Sequence, residues 1–230
     1  MKRFLALLSM CVVASLAAGG ADVLDRILAI VNNTPILLSD WDEAWRCEAL
    51  LAGRTPESYS NTEQKEVFQR LVDQELLRQQ MRSYLLAPVT AEEVQQELKN
   101  VRSQLSGEDD ARWKSRLDSA GVTEEELTRR LRHEMEVERF LDVRFRAGIR
   151  VDDRTVSRYY RDEFLPEVRR AGGKEVPLEE VSGKIREIIV QQRMSEQANG
   201  WIQTLREQAD IQIPAEVSSR TPEPGAAQSK

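Results

Sequence analysis

The residue most suited to chemistry is His133, because it is the only histidine in the chain. The segment "HEMEV" comes close to the His-Glu-x-x-His pattern of zinc proteases, but Val137 stands where the second histidine belongs. Without a second histidine, most zinc sites are not expected. His133 also lies off the apolar stripe that contains Leu127, Leu131 and Leu141. The spacing therefore predicts a solvated side chain and not a metal ligand.

The other reactive side chains do not form a recognisable catalytic set. Cys47 has no base beside it to activate the thiol, and we expect it to face a contact between helices. The chain has no glycine-rich loop that could bind phosphate. The acidic pair Glu124 and Glu126 is explained by the favourable placement of negative charge at a helix N-terminus. The sequence predicts no enzyme, no catalytic residues, no metal and no cofactor.

The first 21 residues have the pattern of a secretory signal peptide. Lys2 and Arg3 precede an apolar run from Phe4 to Ala18, and small residues follow through Ala21. The run is short for a membrane span, so we expect residues 1–21 to be removed and the protein to be exported to the periplasm. An uncleaved membrane anchor is the alternative.

Composition agrees with an exported, water-soluble protein. The chain has 33 Lys and Arg against 39 Asp and Glu, and the signal peptide contains two of the basic residues. An acidic surface favours solubility, and neither nucleic acid nor an anionic membrane is expected as a partner. After removal of the signal peptide, Cys47 is the only cysteine, so no internal disulfide can form.

Helical periodicity dominates the middle of the chain. Ser39 is predicted to cap a helix that runs to about Ala52, and Asn61 or Thr62 to cap a long helix ended by Pro88. Two capping boxes, Thr90-x-x-Glu93 and Thr123-x-x-Glu126, predict two more helix starts. The first of these helices is predicted to run to about 105 and the second to about 145. Further helices are predicted in three places: around Trp113 and Leu117, from Asp152 or Asp153 to about 170, and from 178 to about 209.

Short extended segments are predicted at both ends of the folded part. The stretch "ILAIVNNTPILLSDWDEAW" begins with two apolar runs around Asn32 and Asn33, a pattern typical of a β-hairpin. Near the other end, "IQI" (211–213) is predicted to be a strand. From residue 214 to 230 the composition turns to Ser, Pro, Gly, Ala and Gln, which predicts a disordered tail.

Both ends resemble SurA-type periplasmic chaperones. The stretch "DRILAIVNNTPILLSDWDEAW" resembles the hairpin and capped helix at the start of that family. The stretch "QQRMSEQANGWIQTLREQADIQI" (191–213) resembles the helix and strand at its end. Fuller members carry parvulin prolyl isomerase modules between these parts, but here the stretch from Val151 to Leu178 has fewer than 30 residues, too few for one.

The resemblance implies a mainly α fold: a helical chaperone core with a small N-terminal β-hairpin paired with the C-terminal strand. It divides the chain into a helical chaperone region at 22–150, a helical connector, long helix and closing strand at 151–213, and the tail at 214–230. It also implies an ATP-independent holdase that binds unfolded outer-membrane or secreted proteins, without isomerase activity. Its partners would be unfolded polypeptides, with no membrane insertion after the signal is removed.

Two other functions stay open. The protein could be a binding or assembly subunit dedicated to one partner, or a degenerate prolyl isomerase that lacks its catalytic module. Adaptable apolar side chains on the helices are candidates for client binding, although residues with this spacing are commonly core residues. The candidates are Trp45, Leu71, Met81, Met135, Phe140 and Met194.

Overall fold

The computed structural model describes residues 25–107 and 109–214. The predicted signal peptide at 1–21 lies outside the described residues, as does the predicted tail apart from Pro214. The elements in chain order are β1 (Ile27–Val31), β2 (Thr34–Leu37), α1 (Leu38–Leu51), α2 (Asn61–Met81), α3 (Ala91–Ser106), α4 (Asp110–Ala120), α5 (Glu124–Phe145), α6 (Asp153–Tyr159), α7 (Leu165–Arg170), α8 (Leu178–Gln208) and β3 (Ile211–Gln212). A π-helical turn, Tyr160–Phe164, joins α6 to α7. The predicted fold class is confirmed.

The three described strands form one antiparallel sheet in the order β2-β1-β3. Val31 lies opposite Thr34 across the hairpin, and Asn32 and Asn33 between them have φ angles of 45° and 70°. A two-residue hairpin turn needs positive φ at both positions, and asparagine adopts this conformation more readily than most residues. On its other side β1 pairs with β3, which confirms that the hairpin and the C-terminal strand belong to one sheet.

Asn32 joins three parts of the chain at this turn. Its backbone N–H donates to the carbonyl of Asp210, and its side-chain oxygen accepts from the N–H of Asp210, each at 2.9 Å. Its side-chain amide donates to Gln79 of α2 at 2.9 Å, and Gln79 donates in turn to the carbonyl of Val31. One residue therefore holds the hairpin against α2 and against the segment that enters β3.

Helix α1 follows β2 without a linker, and the prediction that Ser39 caps it is wrong. The helix begins at Leu38, and the carboxylate of Asp40 accepts the N–H of Leu37 at 2.8 Å. Ser39 donates from both its hydroxyl and its backbone to Asp25. Because Asp40 already satisfies the free N–H at the helix start, Ser39 is available to fix the segment before β1.

The capping boxes predicted for α3 and α5 are confirmed. Thr90 and Thr123 each accept the N–H of the glutamate three residues later, at 3.2 Å. In turn, the carboxylates of Glu93 and Glu126 accept hydrogen bonds from the threonine N–H groups at 2.8 and 2.7 Å. The same arrangement at Ser60 starts α2 one residue earlier than the sequence predicted.

Helix α2 ends at Met81, so the prediction that it continues to Pro88 is wrong. The following segment leaves the helix and packs on α5, where the ring of Tyr84 meets Phe140 edge-on at 4.9 Å between centroids. Arg139 of α5 donates to the carbonyls of Ala87 and Pro88. These contacts replace the helical hydrogen bonds that the segment gives up.

The buried apolar residues form three clusters. The first joins α1, α3, α4 and the start of α5 around Leu127. The second joins the sheet, α2, the end of α5 and the end of α8 around Phe140. The third joins α6 to the first half of α8 through Val156 and Ile185. Helix α8 therefore belongs to two clusters, and its middle part spans the distance between them.

Removal of β3 should destabilise the whole fold. A chain that ends at Asp210 leaves Ile30 and Val31 of β1 without their partners in β3 and exposes the side chains beneath β3, whereas a chain that ends at Pro214 keeps every described strand. A loss on the order of 2 kcal/mol would lower the melting temperature by about 4–8 °C for a protein of this size. Thermal unfolding followed by circular dichroism measures both truncations, and equal melting temperatures would contradict the pairing.

Asn32→Ala should cost more stability than Asn33→Ala. Both changes place alanine at a positive φ angle, but only Asn32 has side-chain hydrogen bonds to Asp210 and Gln79. Because these bonds are exposed to solvent, the expected difference in the free energy of unfolding is about 1–2 kcal/mol. Urea denaturation of the two variants measures it. Equal losses would show that the turn conformation alone matters.

Candidate functional site

The middle of α8 leaves an open cavity against α2 and α5, with a volume of about 290 Å³. The apolar side chains that line it are Val137, Leu141, Met194 and Ala198. The polar side chains that line it are Gln74, His133, Glu134, Glu138, Gln191 and Ser195. We refer to this cavity as the apolar compartment.

A second cavity, of about 540 Å³, lies between β2, α1, α2 and α5. Charged side chains line much of it: Asp40, Glu43, Glu75, Arg78, Arg129 and Arg130. Its apolar and sulfur-containing lining consists of Pro35, Ile36, Ala44, Leu71 and Cys47, and Gln74 and His133 complete it. We refer to this cavity as the charged compartment.

The two compartments share Gln74 and His133, so they are neighbours along α5, and we refer to the two together as the cleft. The residues that α5 contributes recur every three or four positions from Arg129 to Leu141 and so occupy one face of the helix. Along the helix axis, Arg129 and Leu141 are about 18 Å apart at a rise of about 1.5 Å per residue. An extended chain of about five residues has the same length.

Ion pairs hold the walls of the charged compartment together. Arg129 of α5 contacts Glu43 of α1 at 2.9 Å. Arg130 contacts Glu134 within α5 at 2.5 Å and Glu48 of α1 at 3.5 Å. These pairs join α5 to α1, and each of the two arginines is already paired with a carboxylate.

Glu75 is a charged residue at the bottom of this compartment. Its carboxylate accepts two hydrogen bonds from Arg78, at 2.6 and 2.8 Å, and a further one from Gln79. Burial raises the pKa of Glu75, but these donors outweigh it and hold the pKa below its ordinary value. The same Gln79 binds Asn32, so the floor of the compartment is connected to the hairpin turn.

His133 is half-buried between the compartments, so the prediction of a solvated side chain is wrong. Burial lowers the pKa of its imidazole, the nearby charge of Arg130 lowers it further, and Glu136 and Glu134 partly oppose this effect. The sequence pattern of α5 does not identify the elements that bury His133, because α2 and α8, which cover this face, come from distant parts of the chain.

Cys47 lies in the first core cluster with no exposed surface, as its predicted place in a helix contact requires. Burial raises the pKa of the thiol to about 12, with a smaller contribution from Glu43. The thiol is therefore protonated at neutral pH and is a poor nucleophile.

The six predicted client-binding residues lie in different surroundings. Leu71 lines the charged compartment and Met194 the apolar one. Phe140 has no exposed surface and sits in the second core cluster. Trp45, Met81 and Met135 are half-buried away from the cleft lining. The part of all six residues in client binding stays a prediction.

Sequence reasoning missed most of the cleft. Val137, Leu141 and Gln191 contribute to the apolar compartment but were not among the candidates. The available signal was the three-to-four spacing of Arg130, His133, Val137 and Leu141 on α5. That spacing indicates a covered helix face without indicating what covers it.

Within 25–107 and 109–214, no group of three or more His, Cys, Asp or Glu side chains could hold a metal ion. None of the helices in the same part of the chain combines the length and apolar composition required to cross a bilayer.

Two comparisons with known proteins returned a match, and one did not. The family model described as the SurA-like N-terminal domain matches residues 2–141. No curated protein matches the sequence. A similar solved structure comes from work on PEB4 and Cj1289, described as two structurally related SurA-like chaperones of Campylobacter jejuni. It is 10% identical, with a TM-score of 0.48, and the match covers 83% of this chain and 99% of that one.

Proposed function

The chain belongs to the family of SurA-like N-terminal domains, and we propose that it is a periplasmic holdase, an ATP-independent chaperone that binds unfolded polypeptides and prevents their aggregation. The observation that carries the proposal is the cleft along α5, which places an apolar compartment beside a charged one and is open to solvent. No bond is made or broken in this function.

The dimensions of the cleft suit a short extended segment of a client. About five residues fit along it, and two or three apolar side chains could enter the apolar compartment. Burial of one such side chain contributes about 1.5–3 kcal/mol before the cost of ordering the client. The resulting affinity is weak for each segment, so a long unfolded chain would be held by successive, reversible contacts.

The charged compartment contributes a stable frame to the cleft. Arg129 and Arg130 are bound to carboxylates of α1 and α5, so these helices keep their spacing without a client. Since paired charges do not need a client charge to balance them, the compartment would tolerate many client sequences. Broad tolerance is what a holdase requires.

Client binding by strand addition is less favoured than binding in the cleft. The sheet has two edges: β3, which is only two residues long, and β2, where Pro35 has no backbone N–H to donate. The N–H of Leu37 is already donated to Asp40. An edge with so few free donors is a poor template for another strand.

The sequence pattern and the family support the location and the clients that we propose. The first 21 residues have the features of a signal peptide, which supports export to the periplasm. The clients we propose are unfolded outer-membrane or secreted proteins. The stretch between Val151 and Leu178 is too short for a parvulin module, so we propose no isomerase activity.

A comparison across clients tests the proposal. The protein should suppress the aggregation of several unrelated unfolded proteins and should not accelerate proline-limited refolding. Protection of only one partner would instead indicate a dedicated assembly subunit. Faster proline-limited refolding would indicate isomerase activity.

Val137→Ser should weaken client binding, whereas Val143→Ser should not. Both residues are on α5, but Val137 lines the apolar compartment and Val143 is 57% exposed outside the cleft lining. The loss of apolar contact at Val137 is worth about 1 kcal/mol, or about fivefold in affinity. Fluorescence anisotropy with a labelled unfolded client measures the affinity.

Because Val137 also packs on the second core cluster, the melting temperature of each variant is measured as a control. Binding is compared well below the lower of the two temperatures. If Val143→Ser weakens binding as much as Val137→Ser, the client lies on the outer surface of α5 and not in the cleft.

A further inference from the structure

His133 is an ionisable side chain that lines both compartments of the cleft. We propose that the protonation state of His133 regulates the cleft: an uncharged polypeptide segment binds more tightly when the imidazole is neutral, and its binding releases a proton from His133. This inference rests on the proposed function, because it assumes that the cleft is the client site.

The geometry places the imidazole where a client in either compartment would meet it. His133 and Gln74 line both compartments, so a segment that occupies the whole cleft must pass over them. Val137, one helical turn further along α5, belongs to the apolar compartment. His133 is half-buried in the empty cleft, and an occupant would remove it further from water.

Charged groups surround His133 on three helices but not on α8. On α5, α2 and α1 these groups are Arg129, Arg130, Glu134, Glu136, Glu138, Glu75, Arg78, Asp40 and Glu43. The cleft-lining residues of α8 are Gln191, Met194, Ser195 and Ala198, and those of β2 are Pro35 and Ile36; all are uncharged. The part of α8 that lines the two compartments therefore offers no carboxylate to stabilise an imidazolium; Glu187 and Glu196 of α8 line a neighbouring cavity instead.

Arg130 is a positive charge that ion pairs hold close to His133. Its side chain is only 12% exposed, and Glu134 and Glu48 hold it from two helices. Together with burial it already lowers the pKa of His133 in the empty cleft. Glu134 and Glu136 reduce the effect but do not reverse it.

An uncharged occupant increases the cost of the charged form. It replaces water beside the imidazole with apolar side chains, which disfavours imidazolium and lowers the pKa of His133 further. By linkage, a ligand that lowers a pKa binds more weakly once the pH falls below the pKa of the free protein. The affinity then decreases by up to about tenfold per pH unit until the pKa of the complex is reached.

Above the pKa that His133 has in the free protein, the affinity for the client should not depend on pH, since His133 is neutral with and without the client. A client carboxylate beside His133 would reverse the sign, because it would favour imidazolium. The regulation we propose therefore applies to uncharged segments.

The test uses the protein purified from the periplasm without a histidine tag, so that His133 remains its only imidazole. The probe is a labelled ten-residue peptide of Val, Tyr, Ser and Gln, acetylated and amidated so that it does not titrate between pH 5 and 7.5. Its affinity is measured at both pH values for the natural protein and for His133→Gln. We expect several-fold weaker binding at pH 5 for the natural protein and a ratio near one for His133→Gln.

Nuclear magnetic resonance gives an independent measurement that does not require a variant. One imidazole gives one set of ring signals, so the pKa of His133 can be followed with and without the peptide. The expected result is a lower pKa in the complex. Circular dichroism at both pH values controls for unfolding.

The outcomes separate the two proposals. If the peptide binds but the pKa does not change, or His133→Gln keeps the pH dependence, the regulation by His133 is wrong and the holdase proposal stands. If the peptide does not bind at either pH, while larger unfolded clients are protected, the cleft is not the client site and this inference falls with it. If nothing binds, the holdase proposal fails as well.

Discussion

Antiparallel pairing between β1 and β3 is the constraint on which the cleft depends. It joins residues 178 positions apart, and Asn32 and Asp210 close it with hydrogen bonds in both directions. Because β3 follows α8 directly, this pairing also places the end of α8 against α2 and α5. Arg206 reinforces the placement by binding Asp73 and Gln69 of α2. Without the sheet, the apolar compartment would lose its wall.

Helix α8 is held at both ends and forms the cleft between them. Leu205 and Trp201 pack in the second cluster, and Ile185 and Ile189 pack in the third with α6. Arg146, just after α5, binds Glu187 and adds a further link to the first half of α8. The cleft is therefore an open space between two packed regions, and local sequence alone does not determine its shape.

Local rules predicted the elements that local interactions define. The Asn32 and Asn33 turn and the capping boxes at Thr90 and Thr123 depend on neighbouring residues. The predictions failed where residues far away in the sequence determine the local structure. α2 stops at Met81 because the next segment packs on α5, and His133 is half-buried because two distant helices cover it. The cleft itself could not be predicted, since it requires the relative positions of α2, α5 and α8.

The central claim, that unfolded polypeptides bind in the cleft along α5, is tested most directly by photo-crosslinking. A benzoylphenylalanine group is placed at Gln74 or Gln191 on the rim of the apolar compartment, or at Leu85, a fully exposed residue outside the cleft lining. Each variant is irradiated with an unfolded outer-membrane β-barrel protein. The account predicts strong crosslinks from positions 74 and 191 and weak ones from position 85. Equal crosslinking from all three positions, or the strongest from position 85, would contradict it.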